Sequence, residues 1–351
     1  MPALSFPSFP DDVPTHPLLI IDFSLLKAGD PQEIDRLWEA ATRLGFWYLK
    51  NHGAEKEVNG MFDLGAETMA LPLEEKLKFE QGDDGGSAGY KAAGANAVDA
   101  SGEKDTVEFV NISKDDVLAW PSHVHRRYPE PVEQNMPTVV QPFVNKSLEV
   151  NRTILNIFND KLGLPKGTLF QQHPLDEHSG CEARIIKNPP MPHNIHKRAI
   201  GAHTDFGSLS FLHNRLGGLQ VLVPGAETWQ YIKPIPDHAI CNVGDALAVF
   251  SGGILRSNMH RVLPPPGAQS THERWSIVFF TRPGNSKVLR ALVESSPTIA
   301  AAVASKPEKS FETGTTAKEW FARRVKYQRI ANRTGPETWM SSRGTEADPT
   351  A

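Results

Sequence analysis

The chain has 351 residues, a formal net charge of -4 and 22% charged residues, a composition ordinary for a globular protein with a sizeable core. The slightly acidic balance, without a run of Lys or Arg, argues against a surface for nucleic acid or anionic membranes and favours small-molecule chemistry. Its two cysteines, Cys181 and Cys241, exclude a disulfide scaffold. We expect two buried thiols in a reducing compartment, with a single bridge left open.

The N-terminal segment has no basic region of the secretory type, and no apolar run reaches the length of a membrane span. We therefore expect a cytoplasmic protein without a membrane anchor. Residues 1–17 are rich in proline and are expected to lie extended against the body. Short buried strands are predicted at 18–22 and 46–49.

The first half of the chain is predicted to be mainly helical. Apolar residues that recur at helical spacing predict helices over 31–44, 58–69, 73–79 and 132–162. The last of these is long enough to carry a sheet on its apolar face. We therefore assign residues 18–165 to a helical N-terminal region.

Residues 81–105 carry neither a helical nor a strand period. They are rich in Gly, Ala, Ser and Asp and contain one aromatic residue, Tyr90. Such a segment is typical of a flexible surface loop, which is the commoner case, or of a lid over a binding site. A strand is predicted to follow at 108–112.

From Glu182 onward the pattern changes to short strands separated by turn residues. Strands are predicted within ARIIKN, HTDFGSLSFL, GLQVLV, TWQYIKP, HAICNVGDALAVF, HRVL and RWSIVFFTRP. Their number and spacing predict an antiparallel double sheet of jelly-roll type over 182–285. Residues 286–351 predict a polar loop, a helix over 317–329 and a disordered end from Ser341. The fold class is α+β, and the absence of repeats or linkers indicates one domain, 1–351.

Three residues of the sheet region have side chains that metal centres use. His203 and Asp205 are two residues apart and project to the same side of an extended segment, whereas His260 must arrive from another strand. Two imidazoles and one carboxylate on one face of a metal leave open positions on the other, as non-haem Fe(II) oxygenases require. A zinc ion with a bound water could use the same three residues, so the residues alone leave hydrolysis open.

Further motifs surround this triad in a fixed order. They are GFWYLKNHG at 45–53, GAHTDFGSLSFL at 201–212, GLQV at 218–221, NVGD at 242–245 and NMHRV at 258–262. With them the chain resembles the iron- and 2-oxoglutarate-dependent dioxygenases of the isopenicillin N synthase-like superfamily over most of residues 18–283. The resemblance implies a double-stranded β-helix inside a helical layer. It also implies that His203, Asp205 and His260 bind Fe(II).

Arg274 and Ser276 lie two residues apart on the last predicted strand. A guanidinium binds a carboxylate through two parallel hydrogen bonds, and a hydroxyl two residues along a strand faces the same way. Alone, the two residues fit a surface arginine and a strand serine equally well. The resemblance implies that they bind the distal carboxylate of 2-oxoglutarate. Residues 264–267, PPPG, predict an extra loop between His260 and Arg274.

The strand before the His-x-Asp triplet departs from the family pattern. Many relatives carry an Asn and a Tyr there that touch 2-oxoglutarate, whereas this chain has Ile186 and Asn188 at those positions. Arg184, Ile186 and Asn188 share parity and could line one pocket. We expect Asn188 to replace the hydrogen bond of the tyrosine and Arg184 to meet an anionic group; packing roles are equally compatible with the residues.

The resemblance implies oxidation of an unactivated C–H bond with O2, by hydroxylation, desaturation or ring formation, as 2-oxoglutarate yields succinate and CO2. The loop at 81–105, Tyr90, the strand at 108–112 and the C-terminal helix are expected to select the substrate. The substrate itself is not readable; we expect a small molecule of secondary metabolism and a monomeric enzyme. An iron oxidase of the same fold that does not use 2-oxoglutarate and a non-catalytic binding module stay open.

Overall fold

In the computed structural model, which describes residues 6–192, 197–226 and 228–345, an eight-stranded and a four-stranded β-sheet line a common cavity. The strands are β1 (Ile20–Asp22), β2 (Phe46–Lys50), β3 (Gly89–Lys91), β4 (Glu108–Ser113), β5 (Glu182–Asn188), β6 (Ile200–His203), β7 (Leu209–Asn214), β8 (Leu219–Leu222), β9 (Trp229–Tyr231), β10 (Ala239–Val243), β11 (His260–Val262), β12 (Arg274–Thr281), β13 (Val288–Arg290) and β14 (Glu312–Thr316).

Helices pack on the outer face of the larger sheet, and in the chain they precede and follow the main strand region. They are α1 (Phe23–Ala28), α2 (Pro31–Arg43), α3 (Glu55–Met69), α4 (Leu73–Leu77), α5 (Lys114–Ala119), α6 (Glu130–Asn135), α7 (Gln141–Lys161), α8 (Thr168–Gln171), α9 (Asp245–Phe250), α10 (Pro297–Ala304), α11 (Ala317–Gln328) and α12 (Pro336–Ser341). Among the residues described, none of these helices combines the length and apolarity needed to cross a bilayer.

The larger sheet has the order β1-β2-β10-β7-β12-β5-β4-β3, and the smaller has the order β6-β11-β8-β9. All strand pairs in the two sheets are antiparallel except β1 with β2. The predicted jelly roll is confirmed. The N-terminal region, however, is less purely helical than expected, because β1 and β2 form one edge of the larger sheet and β3 and β4 form the other.

Strand β12 sets which side chains face the cavity. Arg274 pairs with Asn188, Ser276 with Ile186, and Val278 with Arg184. Directly paired residues of a sheet project to the same face, so these six side chains share the inner face of the jelly roll.

The alternate residues of the same strands form the main core. Ile185, Ile277 and Phe279 are fully buried and face the helical layer of α3 and α7. Helix α3 approaches closely because Gly65 has no side chain: a Cβ there would lie 2.6 Å from Cγ2 of Ile185.

The long helix predicted over 132–162 is present as three joined pieces. Helix α6 continues through a π-helical turn, Met136–Val140, into α7. Pro137 and Pro142 lie in the first turns of the second and third pieces, where the missing backbone N–H of proline is tolerated.

Cys181 and Cys241 are both buried and free, as predicted. The predicted C-terminal helix is present as α11 and packs back through the buried Val325. The end predicted to be disordered from Ser341 is ordered as far as Thr345, whose hydroxyl donates to Asp245 Oδ1 at 2.5 Å. The rest of that segment, like residues 1–5, lies outside the described residues.

Burial of uncharged histidines predicts that the fold loses stability in mild acid. Burial lowers the pKa of His173 to about 4 and that of His203 to about 3. Burial, with a smaller contribution from the neighbouring His52, lowers the pKa of His213 well below its ordinary value. The unfolded chain, with a histidine pKa near 6.5, takes up protons first, so stability falls as the pH drops below about 6.5. As the pH falls from about 7.5 to about 5.5, each such histidine lowers the free energy of unfolding by about 1.4 kcal/mol.

The variant His213→Phe tests this origin. His213 lies among Phe143, Phe211 and His52, and within residues 6–192, 197–226 and 228–345 its Nε2 has no hydrogen-bond partner. A phenyl ring suits these surroundings, so urea unfolding of the variant should show a weaker loss of stability in acid than the parent, while His272→Phe, at the protein surface, should match the parent. An unchanged pH dependence in His213→Phe would contradict the prediction.

Candidate active site

The two histidines and the aspartate predicted to bind a metal come together at one end of the smaller sheet. His260, the first residue of β11, pairs directly with His203, the last residue of β6. Asp205 Oδ1 lies 3.8 Å from His203 Nε2 and 3.7 Å from His260 Nε2. One donor atom from each residue therefore lies within 4.8 Å of the other two.

Backbone carbonyls fix how both imidazoles present their nitrogens. His203 Nδ1 lies 2.8 Å from the carbonyl oxygen of Gly201, and His260 Nδ1 lies 3.2 Å from that of Asn258. A carbonyl oxygen only accepts, so Nδ1 carries the proton in each ring, and the lone pair of Nε2 is directed toward Asp205. Gly201 is required at its position because a Cβ there would lie 1.9 Å from the carbonyl oxygen of Val98.

Two side chains orient Asp205. Its Oδ2 accepts hydrogen bonds from Ser210 Oγ at 2.5 Å and from Asn242 Nδ2 at 2.7 Å, which leaves Oδ1 for the imidazoles. Burial alone would raise the pKa of Asp205, but His260, His203 and these two hydrogen bonds lower it to about 2. Sequence reasoning assigned no role to Ser210 or Asn242, although Asn242 opens the Asn-x-Gly-Asp motif.

The donor set fits ferrous iron. Burial lowers the pKa of His203 to about 3, so its ring is neutral at physiological pH and Asp205 is ionised. Neutral nitrogens and a carboxylate oxygen are donors that Fe(II) accepts, and the cavity lies beside all three residues. Zinc would accept the same donors, so these residues alone do not select the metal.

Arg274 is a buried cation at another part of the same cavity. Its side chain donates from Nε to the Gly217 carbonyl oxygen at 2.7 Å and from Nη1 to Ser276 Oγ at 2.7 Å. The residue is 2% exposed, and burial lowers its pKa to about 10, so it is still protonated at neutral pH. Within the described residues no carboxylate lies at ion-pair distance from it. A buried cation of this kind is costly without an anion, which indicates an anionic ligand.

The two residues on β5 that depart from the family pattern, Ile186 and Asn188, occupy the same face as Arg274, together with Arg184. Ile186 and Arg184 line the cavity. Asn188, directly opposite Arg274, is fully buried; its Oδ1 accepts from Thr106 Oγ1 at 2.7 Å, and its Nδ2 has no hydrogen-bond partner among the described residues. An unpaired buried donor beside Arg274 is compatible with the same anionic ligand.

The expectation that Tyr90 faces the substrate is wrong. Tyr90 pairs with Val110 on β4, and both belong to the core cluster on the helical side of the sheet. Its hydroxyl donates to Glu108 Oε2 at 2.7 Å. The single aromatic residue of a loop suggested a ligand contact, but β3 joins the sheet with Tyr90 on the outer face.

The segments expected to select the substrate do line the cavity apart from Tyr90. The lining residues from the loop at 81–105 are Gln81, Ser87, Asn96, Ala97, Val98 and Asp105. Strand β4 adds Phe109 and Asn111, and α11 adds Val325 and Gln328. Sequence reasoning missed Trp339, which follows the predicted C-terminal helix, and Arg343, which lies in the segment predicted to be disordered.

A buried ion pair ties the C-terminal helix to the His-x-Asp triplet. Arg324 on α11 forms an ion pair with Asp245, and Asp245 also accepts from Thr204 Oγ1 at 3.0 Å. Arg324 Nη2 donates to the Thr204 carbonyl oxygen at 3.1 Å. Both charged side chains are fully buried, so this pair fixes the residue between His203 and Asp205.

A second group of possible metal donors lies near the surface. Asp115, His125 and His178 also bring their donor atoms within 4.8 Å of one another. The Asp115 carboxylate is already paired with Lys114 Nζ at 3.0 Å. This cluster does not adjoin the cavity, and we assign it no function.

Similarity to known proteins shows the family. The chain is 31% identical over 293 residues to a 2-oxoglutarate-dependent dioxygenase of Gibberella zeae, covering 82% of this chain and 85% of that protein. The chain belongs to the 2-oxoglutarate-dependent dioxygenases. Residues 176–283 match the model of the 2OG-Fe(II) oxygenase superfamily, and residues 18–132 match the N-terminal model of a non-haem dioxygenase in morphine synthesis.

Solved structures show the same fold. A full-length protein of Neurospora crassa, in complex with α-ketoglutarate and thymine, superimposes with a TM-score of 0.71 at 22% identity, over 88% of this chain and 96% of that chain. A 2OG-Fe(II) oxygenase family protein from Caulobacter crescentus gives 0.71 at 24% identity, over 89% and 99%.

Family membership settles the class of the protein. This dioxygenase is an enzyme that uses Fe(II), 2-oxoglutarate and O2, and the family supports this function rather than the oxidase without 2-oxoglutarate or the binding module. The assignment of individual residues to the metal and the co-substrate stays a prediction.

The contacts of Asp205 predict a supporting role for Asn242. In Asn242→Ala the carboxylate loses one of its two orienting hydrogen bonds, so the affinity for Mn(II), a redox-stable substitute for Fe(II), should fall about 10- to 100-fold. Titration of free Mn(II) by electron paramagnetic resonance measures the affinity. Asn156→Ala, which removes an exposed amide from α7, is the control. A folded Asn242→Ala protein with the parent affinity would contradict the prediction.

Proposed function

We propose that His203, Asp205 and His260 bind Fe(II), and that Arg274 and Ser276 bind the distal carboxylate of 2-oxoglutarate, in a single catalytic domain spanning residues 1–351. The enzyme then oxidises an unactivated C–H bond of a small molecule by hydroxylation, desaturation or ring formation. The observation that carries the proposal is the buried guanidinium of Arg274, which has no carboxylate partner within the described residues and lines the same cavity as the triad.

Ser276 and Asn188 add donors beside Arg274. Ser276 Oγ accepts a hydrogen bond from Arg274 Nη1, so its own hydroxyl hydrogen is available to a bound carboxylate. Asn188 Nδ2, on the residue directly opposite Arg274, is buried, has no partner in the part of the chain that the structure describes, and supplies a further N–H. Asn188 thereby takes the place of the tyrosine found in many relatives.

When bound, the iron and 2-oxoglutarate supply the oxidising chemistry with O2, and succinate and CO2 are released. The chain holds the reacting groups and limits the access of water. Phe46 packs edge-on against His260 with ring centroids 5.3 Å apart, and Val262 and Leu219 continue this apolar wall. The carbonyls of Gly201 and Asn258 keep the Nδ1 protons in place, so both imidazoles stay oriented.

The proposed substrate is a small molecule of secondary metabolism, with Arg184 and Ile186 on the wall that contacts it. The small-molecule ligands named for structural neighbours, such as thymine for the Neurospora crassa protein, and the fungal source of several relatives support this. We further propose a monomer acting in the cytoplasm without a nucleic-acid partner. The net charge of -4 supports the absence of a nucleic-acid partner, and the two free cysteines support a reducing compartment.

The enzymatic test is formation of succinate from 2-oxoglutarate with consumption of O2. Both should require Fe(II) and be lost in His260→Ala. An iron oxidase that did not use 2-oxoglutarate would consume O2 without forming succinate.

Removal of the Arg274 cation gives a residue-level prediction. In Arg274→Gln the buried charge and its paired hydrogen bonds to a carboxylate are lost, so the Kd for 2-oxoglutarate of Mn(II)-loaded protein should rise about 100-fold or more. Isothermal titration calorimetry measures this value. Lys187→Gln, one strand away on the outer face and paired with Glu273 at 2.9 Å, is the control and should bind like the parent. Parent affinity in folded Arg274→Gln would remove the proposed co-substrate site.

A further inference from the structure

A second charged network lies on the inner face of the larger sheet. Arg184 donates from Nε to Asn111 Oδ1 at 2.6 Å and from Nη2 to Glu182 Oε1 at 2.9 Å. Arg282 Nη2 donates to the same Glu182 oxygen at 3.2 Å, and Ser87 Oγ donates to Glu182 Oε2 at 2.5 Å. Neither the metal triad nor the proposed 2-oxoglutarate site uses these residues.

The network carries one positive charge in excess. Among the described residues, Glu182 is the single carboxylate at ion-pair distance from either Arg184 or Arg282. The neighbouring Lys91 and Asp105 form a buried pair of their own and cancel each other. Glu182 is 2% exposed, so the excess charge lies in a poorly solvated region where water screens it weakly.

The charges of the proposed metal and 2-oxoglutarate sites leave this excess untouched. Fe(II), the Asp205 carboxylate, doubly charged 2-oxoglutarate and Arg274 together sum to zero. The cation formed by Arg184 and Arg282 is therefore still without a counter-ion after metal and co-substrate have bound. A primary substrate with one negative charge would neutralise it.

Arg184 is held with one edge available. Its Cζ lies 4.3 Å from the ring centroid of Phe109 and 5.0 Å from that of Phe280, so two aromatic rings restrain the guanidinium plane. Within the described part of the chain, Nη1 of this cavity-lining residue has no hydrogen-bond partner. A carboxylate could accept a hydrogen bond from Nη1 without displacing a contact already present.

The Arg184 position is separate from the proposed 2-oxoglutarate anchor. Arg184 pairs with Val278, whereas Asn188 pairs with Arg274, so the two arginines differ by four positions along paired strands. At about 3.3 Å per residue, this corresponds to about 13 Å. One 2-oxoglutarate molecule held at the metal and at Arg274 therefore does not account for an anion at Arg184.

Part of the wall beside Arg184 is apolar. Val98, Val107, Phe109, Val278 and Phe280 all line the cavity. These side chains suit a hydrocarbon or aromatic body rather than a strongly polar one. The cavity thus presents a metal triad, apolar side chains and the excess positive charge of the network formed by Arg184, Glu182 and Arg282.

We propose that the primary substrate is a small amphiphilic monocarboxylic acid whose carboxylate binds Nη1 of Arg184 and whose apolar body extends from there toward His203, Asp205 and His260. This inference rests on the proposed function and names the substrate class of the same site. Arg184 acts as a specificity-determining residue, and Glu182 and Arg282 hold it in place.

Binding of matched acids and esters tests the proposal. Mn(II)- and 2-oxoglutarate-loaded protein is titrated with a set of aryl-alkanoic and straight-chain monocarboxylic acids, each paired with its methyl ester. Calorimetry and thermal shift give the affinities. We expect members of the acid set to bind at least about tenfold more tightly than their esters, because an ester has no negative charge to balance the cation.

Two variants with opposite effects locate the preference. Arg184→Gln removes the excess charge and should abolish the preference for acids. Glu182→Gln keeps an acceptor for both guanidinium groups but leaves them with no counter-ion, and it should strengthen the preference. Arg198→Gln, a surface arginine paired with Asp99 at 2.7 Å, should match the parent.

Acid binding that is no tighter than ester binding throughout the set, or a preference that survives in Arg184→Gln, would overturn the inference. If Arg184→Gln does not fold, the parent and Glu182→Gln measurements decide, and equal preference in the two proteins counts against it. The affinity for 2-oxoglutarate is measured in the same samples. If the parent binds 2-oxoglutarate but shows no preference for acids, only the proposed substrate class is wrong. If the parent does not bind 2-oxoglutarate, the proposed function is wrong.

Discussion

The structure depends on one strand pairing, that of β6 with β11. It places His260 directly opposite His203, although the two residues lie 57 positions apart in the chain. Asp205 follows His203 by two residues, and Ser210 and Asn242 donate hydrogen bonds to its Oδ2. A shift of this register by one residue would turn His260 to the other face of its sheet and separate the three donors.

The surroundings of the triad reinforce this pairing from the C-terminal side. Arg324 and Asp245 form a fully buried ion pair that also holds both the hydroxyl and the carbonyl of Thr204. Loss of one partner of such a pair would leave an uncompensated buried charge. The helix that follows the jelly roll is therefore part of the support of the metal site as well as part of the cavity wall.

Local sequence patterns predicted the features that depend on neighbours in the chain. The His-x-Asp triplet, the Arg-x-Ser pair and the shared parity of Arg184, Ile186 and Asn188 follow from strand periodicity, and the alternation of turns and strands predicted the jelly roll. The resemblance of the motifs to the family predicted Fe(II) and 2-oxoglutarate. The spacing of residues within one strand is enough for predictions of this kind.

Features that depend on pairing between strands far apart in the chain could not be predicted from local sequence patterns. Tyr90 was misjudged because its face is set by the pairing of β3 with β4, which the composition of a Gly-rich loop does not reveal. The placement of β1 and β2 beside β10, and of Asn242 against Asp205, likewise depends on contacts between remote segments. Thr345 is ordered by one hydrogen-bonded carboxylate rather than by its local composition.

The central claim is that three side chains hold one ferrous ion beside 2-oxoglutarate. The most direct test is an anaerobic titration of the protein with Fe(II) in the presence of 2-oxoglutarate, followed by visible absorption. A charge-transfer band that saturates at one iron per chain is the predicted result, with no band in Asp205→Ala. Absence of the band in the parent protein, or its full retention in folded Asp205→Ala, would contradict the account.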